Sequence, residues 1–146
     1  MDYYNMNYLY RNKEDSDYGG KPFVVNVKDM SQSNYDFRRA LWTGNNLQMT
    51  LMNIKPGEDI GAEIHPQTDQ IIIVASGHGV FIYGDNLDHL DNQTPLFTHS
   101  AIFIPEKTYH NIVNTSDVPL TLISIYAPPN HPFGTVQKEK QEHFHY

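Results

Sequence analysis

The sequence of 146 residues contains no cysteine. The chain therefore cannot form disulfide bonds, thiolate zinc sites or iron–sulfur clusters, and it has no cysteine nucleophile. Any metal ion that it binds must be held by nitrogen and oxygen atoms. Nitrogen ligands are available, because the sequence contains eight histidines: His65, His78, His89, His99, His110, His131, His143 and His145.

Basic residues are also few, with ten Lys and Arg against seventeen Asp and Glu and a net charge of −7. This balance argues against a nucleic-acid partner and against an anionic membrane surface. The longest apolar run in the middle of the chain, Ile71–Ala75, is too short to span a membrane. The first residues lack the basic start and apolar core of a signal peptide. We therefore expect a soluble cytoplasmic protein.

The length predicts one folded domain with two flanking segments. Residues 1–20 contain five of the ten tyrosines and end at Gly19-Gly20, which predicts an arm joined by a hinge. The arm is expected either to be a loose tail or to pack on the domain or on a partner subunit through its tyrosines. The domain is expected over residues 21–136. Residues 137–146 form a polar tail.

Short runs rich in Ile, Val, Thr, Tyr and Phe, separated by Gly, Asn, Asp and Pro, predict an all-β sandwich or barrel. The only candidate helix covers Asp29–Tyr35. The expected strands are Pro22–Val27, Asp36–Thr43, Leu47–Ile54, Ala62–His65, Asp69–Ala75, Val80–Tyr83, Leu96–His99, Ala101–Ile104, His110–Asn114 and Leu120–Ala127.

Two segments carry residues with metal-binding chemistry. In the first, Glu63 and His65 are two positions apart, so in a strand they project from the same face. Gln70 begins the next strand and can meet them if the hairpin folds back. In the second segment, His110 opens a strand and can supply a fourth ligand.

The spacing of these residues resembles the two motifs of the cupin superfamily. The first motif places two histidines and a glutamate between glycines; here Gly57 and Gly77 are the glycines and His65 is the second histidine. Glu63 stands at the first histidine and Gln70 at the glutamate. In the second motif Pro105, His110 and Asn114 match, and Lys107 replaces a glycine.

This resemblance implies a cupin double-stranded β-helix, a jelly-roll-like conical barrel, with one divalent metal ion in its mouth. The implied ligands are Glu63, His65, Gln70 and His110, and Asp69 is the alternative to Gln70. Strand alternation prevents Asp69 and Gln70 from both facing inward. Two imidazoles and one carboxylate suit non-haem Fe(II) and also Mn, Ni, Co or Zn, so the ion's identity stays open.

Further site residues are expected around this centre. Arg38 and Arg39 are candidates for binding an anionic substrate, and because they are adjacent in a strand only one can point into the barrel. Tyr83 is a third candidate for substrate binding. The candidate catalytic residues are Glu63, Tyr126 and His131.

Residues 131–136, with the sequence His-Pro-Phe-Gly-Thr-Val, resemble the segment that follows the barrel in single-domain cupins of the mannose-6-phosphate isomerase-like subgroup. The resemblance implies a homodimeric, metal-dependent enzyme that acts on a small polar substrate such as a sugar or sugar phosphate. Two alternatives stay open at this point. One is a non-haem metal dioxygenase, and the other is a non-catalytic cupin that binds a small ligand.

Overall fold

The computed structural model describes residues 17–141, and strands dominate this part of the chain. The predicted arm therefore lies mostly outside the described residues, as does the end of the tail. The elements in order are α1 (Val27–Gln32), β1 (Arg38–Thr43), β2 (Gln48–Ile54), β3 (Asp69–Ser76), β4 (Gly79–Gly84), β5 (Asn92–Leu96), β6 (Ala101–Ile104), β7 (Tyr109–Val113), β8 (Leu120–Ala127) and β9 (Val136–Gln137).

The strands form two antiparallel sheets that face each other. The larger has the order β6-β3-β8-β2-β1-β9, and the smaller has the order β5-β4-β7. The segment before β3 extends the smaller sheet, because Asp59 and Glu63 form bridges with Val113 and His110 of β7. Most neighbouring strands in these sheets are distant in sequence, such as β3 and β8 or β2 and β8, as in a jelly roll. The prediction of an all-β fold is confirmed.

The interior of the barrel changes from apolar at one end to polar at the other. At the apolar end, alternate residues of β2, β3 and β8 contribute to a core of Phe37, Met52, Ile54, Ile60, Ile72, Val74, Phe81, Leu96, Ile102, Ile104, Ile112, Leu120 and Leu122. The same inward-facing alternation continues along these strands through polar residues: Gln48, Thr50, Gln70 and Ser124 are all buried. The polar end is therefore an interior surface made by the strands themselves.

The chain before β1 covers part of the outer face of the larger sheet. We call Met30, Leu41, Leu51 and Ile123 the outer cluster. The Asn26 side chain accepts a hydrogen bond from the Asp29 N–H at 3.0 Å and caps α1. The helix thus begins two residues earlier than expected.

Among residues 17–141, no helix is long and apolar enough to cross a membrane.

The strand expected over Pro22–Val27 is absent, and its pattern has another cause. Phe23, Val25 and Val27 are half-buried and alternate with exposed residues. Val25 and Val27 pack on the outer cluster, and Phe23 stacks on Tyr18 with ring centroids 4.3 Å apart. An extended segment lying on a sheet buries alternate side chains without forming a hydrogen-bonded ladder.

The strand expected over Leu96–His99 is displaced, because β5 ends where that prediction begins. β5 consists of Asn92, Gln93, Thr94, Pro95 and Leu96, and only Leu96 is buried. It lies at the edge of the smaller sheet, where solvent-facing polar residues and proline are tolerated. The strands expected over Ala101–Ile104 and Leu120–Ala127 have the observed bounds.

Candidate metal centre

Glu63, His65 and His110 converge at the polar end of the barrel. One ligand atom from each lies within 4.8 Å of the others. The Glu63 Oε1 atom is 3.2 Å from His65 Nε2 and 3.4 Å from His110 Nε2. Both histidines are buried, whereas the Glu63 side chain is 24 % exposed. The three side chains therefore form one donor set at the edge of the interior.

Backbone hydrogen bonds place these side chains on a common face. Glu63 and His110 donate to each other's carbonyl oxygens, both at 2.9 Å, so the segment before β3 is fixed against β7. His65 accepts a bond from the Lys107 N–H at 2.8 Å. Lys107 has φ of 65°, in the left-handed region that favours glycine. This explains why glycine is the residue that the resembled motif has at this position.

The donor set fits a divalent metal ion. The His110 Nδ1 atom donates to the Thr108 carbonyl at 2.8 Å, so Nε2 is the ring nitrogen that faces the site. That buried Nε2 atom forms no hydrogen bond among the described residues. Metal–ligand bonds of about 2.0–2.2 Å put neighbouring ligand atoms roughly 3.0–3.5 Å apart. The observed separations around Glu63 Oε1 fall in that range.

Glu63 is held in its ionised form. Burial alone would raise the pKa of its carboxyl group, but the adjacent imidazoles of His110 and His65 outweigh this effect and lower the pKa well below its usual range. An ionised carboxylate is the form that binds a metal ion. The Glu63 carboxylate is therefore in the form that can bind a cation.

Gln70, rather than its neighbour Asp69, faces this site. Gln70 is 3 % exposed and donates from Nε2 to Ser124 Oγ at 2.7 Å. Its Oε1 atom is buried and has no hydrogen-bond partner among residues 17–141. Asp69 is exposed, and its carboxylate accepts the Glu106 N–H at 2.9 Å. The Gln70 oxygen is thus the one available as a further ligand.

Tyr126 and His131 form a pair of rings beside the triad. The Tyr126 ring is edge-on to His65, with centroids 5.6 Å apart, and edge-on to His131 at 5.2 Å. The His131 Nε2 atom lies 3.4 Å from the Tyr126 hydroxyl oxygen. Burial raises the pKa of Tyr126, so the phenol is protonated at neutral pH. Burial and the Arg38 charge lower the pKa of His131 to about 4, so its imidazole is neutral.

Arg38 supplies a buried cation to the interior. It is 7 % exposed and lies opposite Met52, a residue of the core, so it faces inward. Its Nη1 atom donates to Gln137 Oε1 at 2.6 Å, and its guanidinium lies over the Phe37 ring at 5.3 Å. The Nε atom is buried and has no hydrogen-bond partner in the part of the chain that the structure describes.

Arg39 does not line the interior, so Arg38 is the one of the two adjacent arginines that faces it. It pairs with Leu51 of the outer cluster, and alternation along β1 directs its side chain to the face opposite Arg38. Tyr83 is 39 % exposed and stacks on Phe81 with centroids 5.5 Å apart. It pairs with His110, which places it at the rim of the polar end.

Three buried polar residues of this end are not among the residues expected from the sequence: Gln48, Thr50 and Ser124. The sequence does carry a signal for them. Each occupies an inward position of a strand that also has apolar inward positions, so each is a polar side chain where the alternation predicts a buried residue. A buried polar residue in such a pattern is typical of an interior that binds something polar.

The two-sheet barrel with a His- and carboxylate-containing centre is the architecture of a cupin. The family's cupin-domain model matches residues 50–126, which include all three residues of the triad. The chain therefore belongs to the cupin family, and the predicted double-stranded β-helix is confirmed.

Several relatives are similar over most of the chain. The uncharacterized protein YrkC of Bacillus subtilis is 52 % identical over 126 residues, which cover 86 % of this chain and 68 % of that protein. The uncharacterized protein L612 of Acanthamoeba polyphaga mimivirus is 36 % identical over 82 % of this chain and 74 % of its own. The crystal structure of BH2720 from Bacillus halodurans is 53 % identical, with a TM-score of 0.84, and the match covers 86 % of this chain and 95 % of that one.

Proposed function

We propose that this cupin is a metal-dependent enzyme acting on a small polar substrate, of the kind that isomerises a sugar or sugar phosphate. The observation that carries the proposal is the convergence of Glu63, His65 and His110 within 4.8 Å at the polar end of the barrel. The subgroup resemblance of residues 131–136 supports the choice of substrate class.

The triad and the Gln70 oxygen would hold one divalent ion, because imidazole nitrogens and carboxylate or amide oxygens suit Fe, Mn, Zn, Ni or Co. When bound, such an ion supplies a Lewis acid that polarises a carbonyl group or holds two neighbouring oxygens. The remaining features of the site belong to the chain itself.

Arg38 is the group suited to an anionic part of the substrate. Arg38 is 7 % exposed, and its Nε–H group lacks a hydrogen-bond partner among the described residues. A buried cation with an unused donor favours a phosphate or carboxylate, since guanidinium groups bind both through paired hydrogen bonds. Tyr83 at the rim supplies an aromatic wall near the entrance.

His131 and Tyr126 are suited to proton transfer. Aldose–ketose isomerisation moves a proton between neighbouring carbons, which requires a base at carbon and an acid near the carbonyl oxygen. His131 is unprotonated at neutral pH and Tyr126 is protonated, with Nε2 and hydroxyl oxygen 3.4 Å apart. Glu63 is ionised as well, and it serves as base only if it is not tightly bound as a ligand.

The first test is metal content. We expect the purified chain to bind one equivalent of a divalent ion, and Glu63→Ala combined with His110→Ala to weaken binding by at least ~100-fold, because two donors are removed. His78→Ala is the matched control, since His78 is exposed and outside the triad. Elemental analysis and competition with a chelator give the measurement. Unchanged metal content in the double variant would show that the triad is not the site.

Activity is tested on the metal-loaded protein with a panel of aldoses, ketoses and their phosphates. Interconversion followed by NMR supports the proposal, and we expect His131→Phe to reduce turnover by about 100-fold, the usual contribution of a general base. No turnover across the panel in protein shown to contain metal would reject the isomerase.

A second candidate is a non-haem dioxygenase, which the two-histidine, one-carboxylate set favours. The two reactions differ in their requirement for oxygen. Iron in the purified protein together with substrate-dependent oxygen uptake would support the dioxygenase. Zinc as the native ion would exclude it, because zinc has no redox chemistry.

A further inference from the structure

The buried side-chain amide of Gln48 forms hydrogen bonds with the backbone of the loop that carries His131. Gln48 is 0 % exposed. Its Oε1 atom accepts the N–H groups of Asn130 at 3.2 Å and of His131 at 3.0 Å. Its Nε2 atom donates to the His131 carbonyl at 2.8 Å. One side chain therefore satisfies both the donor and the acceptor of residue 131.

These hydrogen bonds continue to the buried carboxylate of Asp17, at the start of the described chain. Gln48 Nε2 also donates to Thr43 Oγ1 at 3.0 Å, and that hydroxyl donates to Asp17 Oδ2 at 2.6 Å. The same Asp17 oxygen accepts the Gly134 N–H at 3.0 Å. Asp17 is 1 % exposed. Two buried polar groups thus hold the loop at residues 130–131 and again at 134.

This set of buried polar bonds is large for a surface loop. Burying a carboxylate is costly unless hydrogen bonds compensate for lost hydration, and the loop itself includes Phe133 at 58 % exposure. The loop contributes little to the apolar core. The hydrogen bonds from Gln48 and Asp17 instead determine the position of the His131 ring, which lies against Tyr126 next to the triad.

We infer that Gln48, assisted by Thr43 and Asp17, is a positioning residue that fixes the His131 ring against Tyr126, beside the triad, where the imidazole contacts a ligand in the barrel. The contact with ligand rests on the proposed function; the positioning of the ring does not. We expect the ligand to be a small oxyanion, because the positive charges of Arg38 and of a bound divalent ion would together exceed the single negative charge of Glu63.

The test uses the full chain and Gln48→Met, which keeps the side-chain length and removes every hydrogen bond of the amide. In metal-free protein, NMR titration follows the His131 imidazole. We expect its pKa to rise from about 4 to above about 5.5, toward the ordinary value of an exposed histidine, because the ring leaves its buried place. A loss of packing without a change in ring position would not move this pKa.

The second measurement uses Co(II)-loaded protein and inorganic phosphate as the probe, followed by visible absorption. We expect Gln48→Met to weaken phosphate binding about tenfold, the equivalent of one lost hydrogen bond of ~1.4 kcal/mol. The affinity for Co(II) itself should stay within about twofold. Thr121→Val is the matched control: it removes the partly buried Ser76–Thr121 hydrogen bond of 2.6 Å at the other end of the barrel and should change neither value.

Thr43→Val provides a second route if Gln48→Met does not fold, because it breaks the link between Gln48 and Asp17 with little change in volume. A smaller shift of the His131 pKa in the same direction supports the inference. If the His131 pKa in both variants, or in the one that folds, is the same as in the wild type, the inference is overturned. Failure to bind any metal would reject the proposed function alone, since the titration is done without metal.

Discussion

At the residue scale, Gln70 stands where the motif that this site resembles has a glutamate. Its buried Oε1 has no partner among the described residues, while its Nε2 is fixed by Ser124. We expect Gln70→Leu to weaken Zn²⁺ binding by about tenfold and Gln70→Glu to tighten it, because a carboxylate adds negative charge to the donor set. Competition with a chromophoric chelator gives the affinities.

Asp69→Asn is the matched control for this prediction, because Asp69 is adjacent and exposed and its carboxylate is used by the Glu106 N–H. It should leave the Zn²⁺ affinity within about twofold. The reverse result, with wild-type affinity in Gln70→Leu and a large loss in Asp69→Asn, would assign the oxygen ligand to Asp69.

The residues of the site differ in how far the sequence could predict them. Glu63, His65 and His110 follow from motif spacing, because local strand alternation puts the first two on one face. The choice between Arg38 and Arg39 could not be made, since it depends on which face of β1 is inside. Gln48 could not be assigned a role, because its bonds reach 83 residues along the chain, and no periodic pattern encodes such a contact.

At the element scale, two glycines with positive φ flank the first motif and differ in their surroundings. Gly57 has φ of 80° and no atom within 4 Å of where an alanine Cβ would lie, whereas Gly77 has φ of 90° and the Pro119 carbonyl oxygen 2.6 Å from that position. We expect Gly57→Ala to cost about 1 kcal/mol of unfolding free energy, from backbone strain alone. Gly77→Ala should cost at least about 3 kcal/mol, because strain and a backbone clash add.

Urea unfolding of the metal-free chain measures both costs, and each variant is the other's control because the substitution and the sign of φ are shared. Equal losses would mean that the strand pair around Gly77 moves aside at no cost. The connection between β3 and β4 would then be looser than the contact with Pro119 indicates.

The elements also show where sequence patterns lose information. Strands with both apolar alternation and a turn at each end, such as β6 and β8, have the bounds that the sequence predicts. β5 is exposed except for Leu96, so it carries no burial pattern to read. The segment 22–27 has alternating burial but forms no ladder of hydrogen bonds with another strand, because it lies on the outer cluster instead of joining a sheet. Alternation reports burial of one face, and hydrogen-bond pairing is a separate property.

At the scale of the whole molecule, the barrel separates its two tasks along its length. The inward positions of β2, β3 and β8 are apolar at one end and polar at the other. The apolar end stabilises the fold through burial, so the polar end can hold groups with unused hydrogen-bonding capacity. This division explains why the fold could be predicted from the hydrophobic pattern, whereas the chemistry depends on a few polar exceptions to it.

The outer face of the larger sheet carries an apolar row that fits the predicted homodimer. Phe103 is 72 % exposed and pairs with Ile71, which pairs in turn with Ile125. Both isoleucines are half-buried. A row of this kind on an antiparallel sheet can pack against its own copy across a two-fold axis. We propose that the chain dimerises through this face.

The change that tests the dimer is Phe103→Lys, which places two cations at the centre of a symmetric interface. We expect the wild-type chain to be dimeric by light scattering at micromolar concentration and the variant to be monomeric, because each copy would bury an unpaired charge. Tyr35→Lys is the matched control: Tyr35 is an aromatic residue with 82 % exposure that lies before β1, outside this row, and its variant should stay dimeric. If the dimer persists in Phe103→Lys but is lost when residues 2–16 are deleted, the interface is formed by the Tyr-rich arm at residues 1–20 instead. A monomeric wild-type chain would reject the dimer altogether.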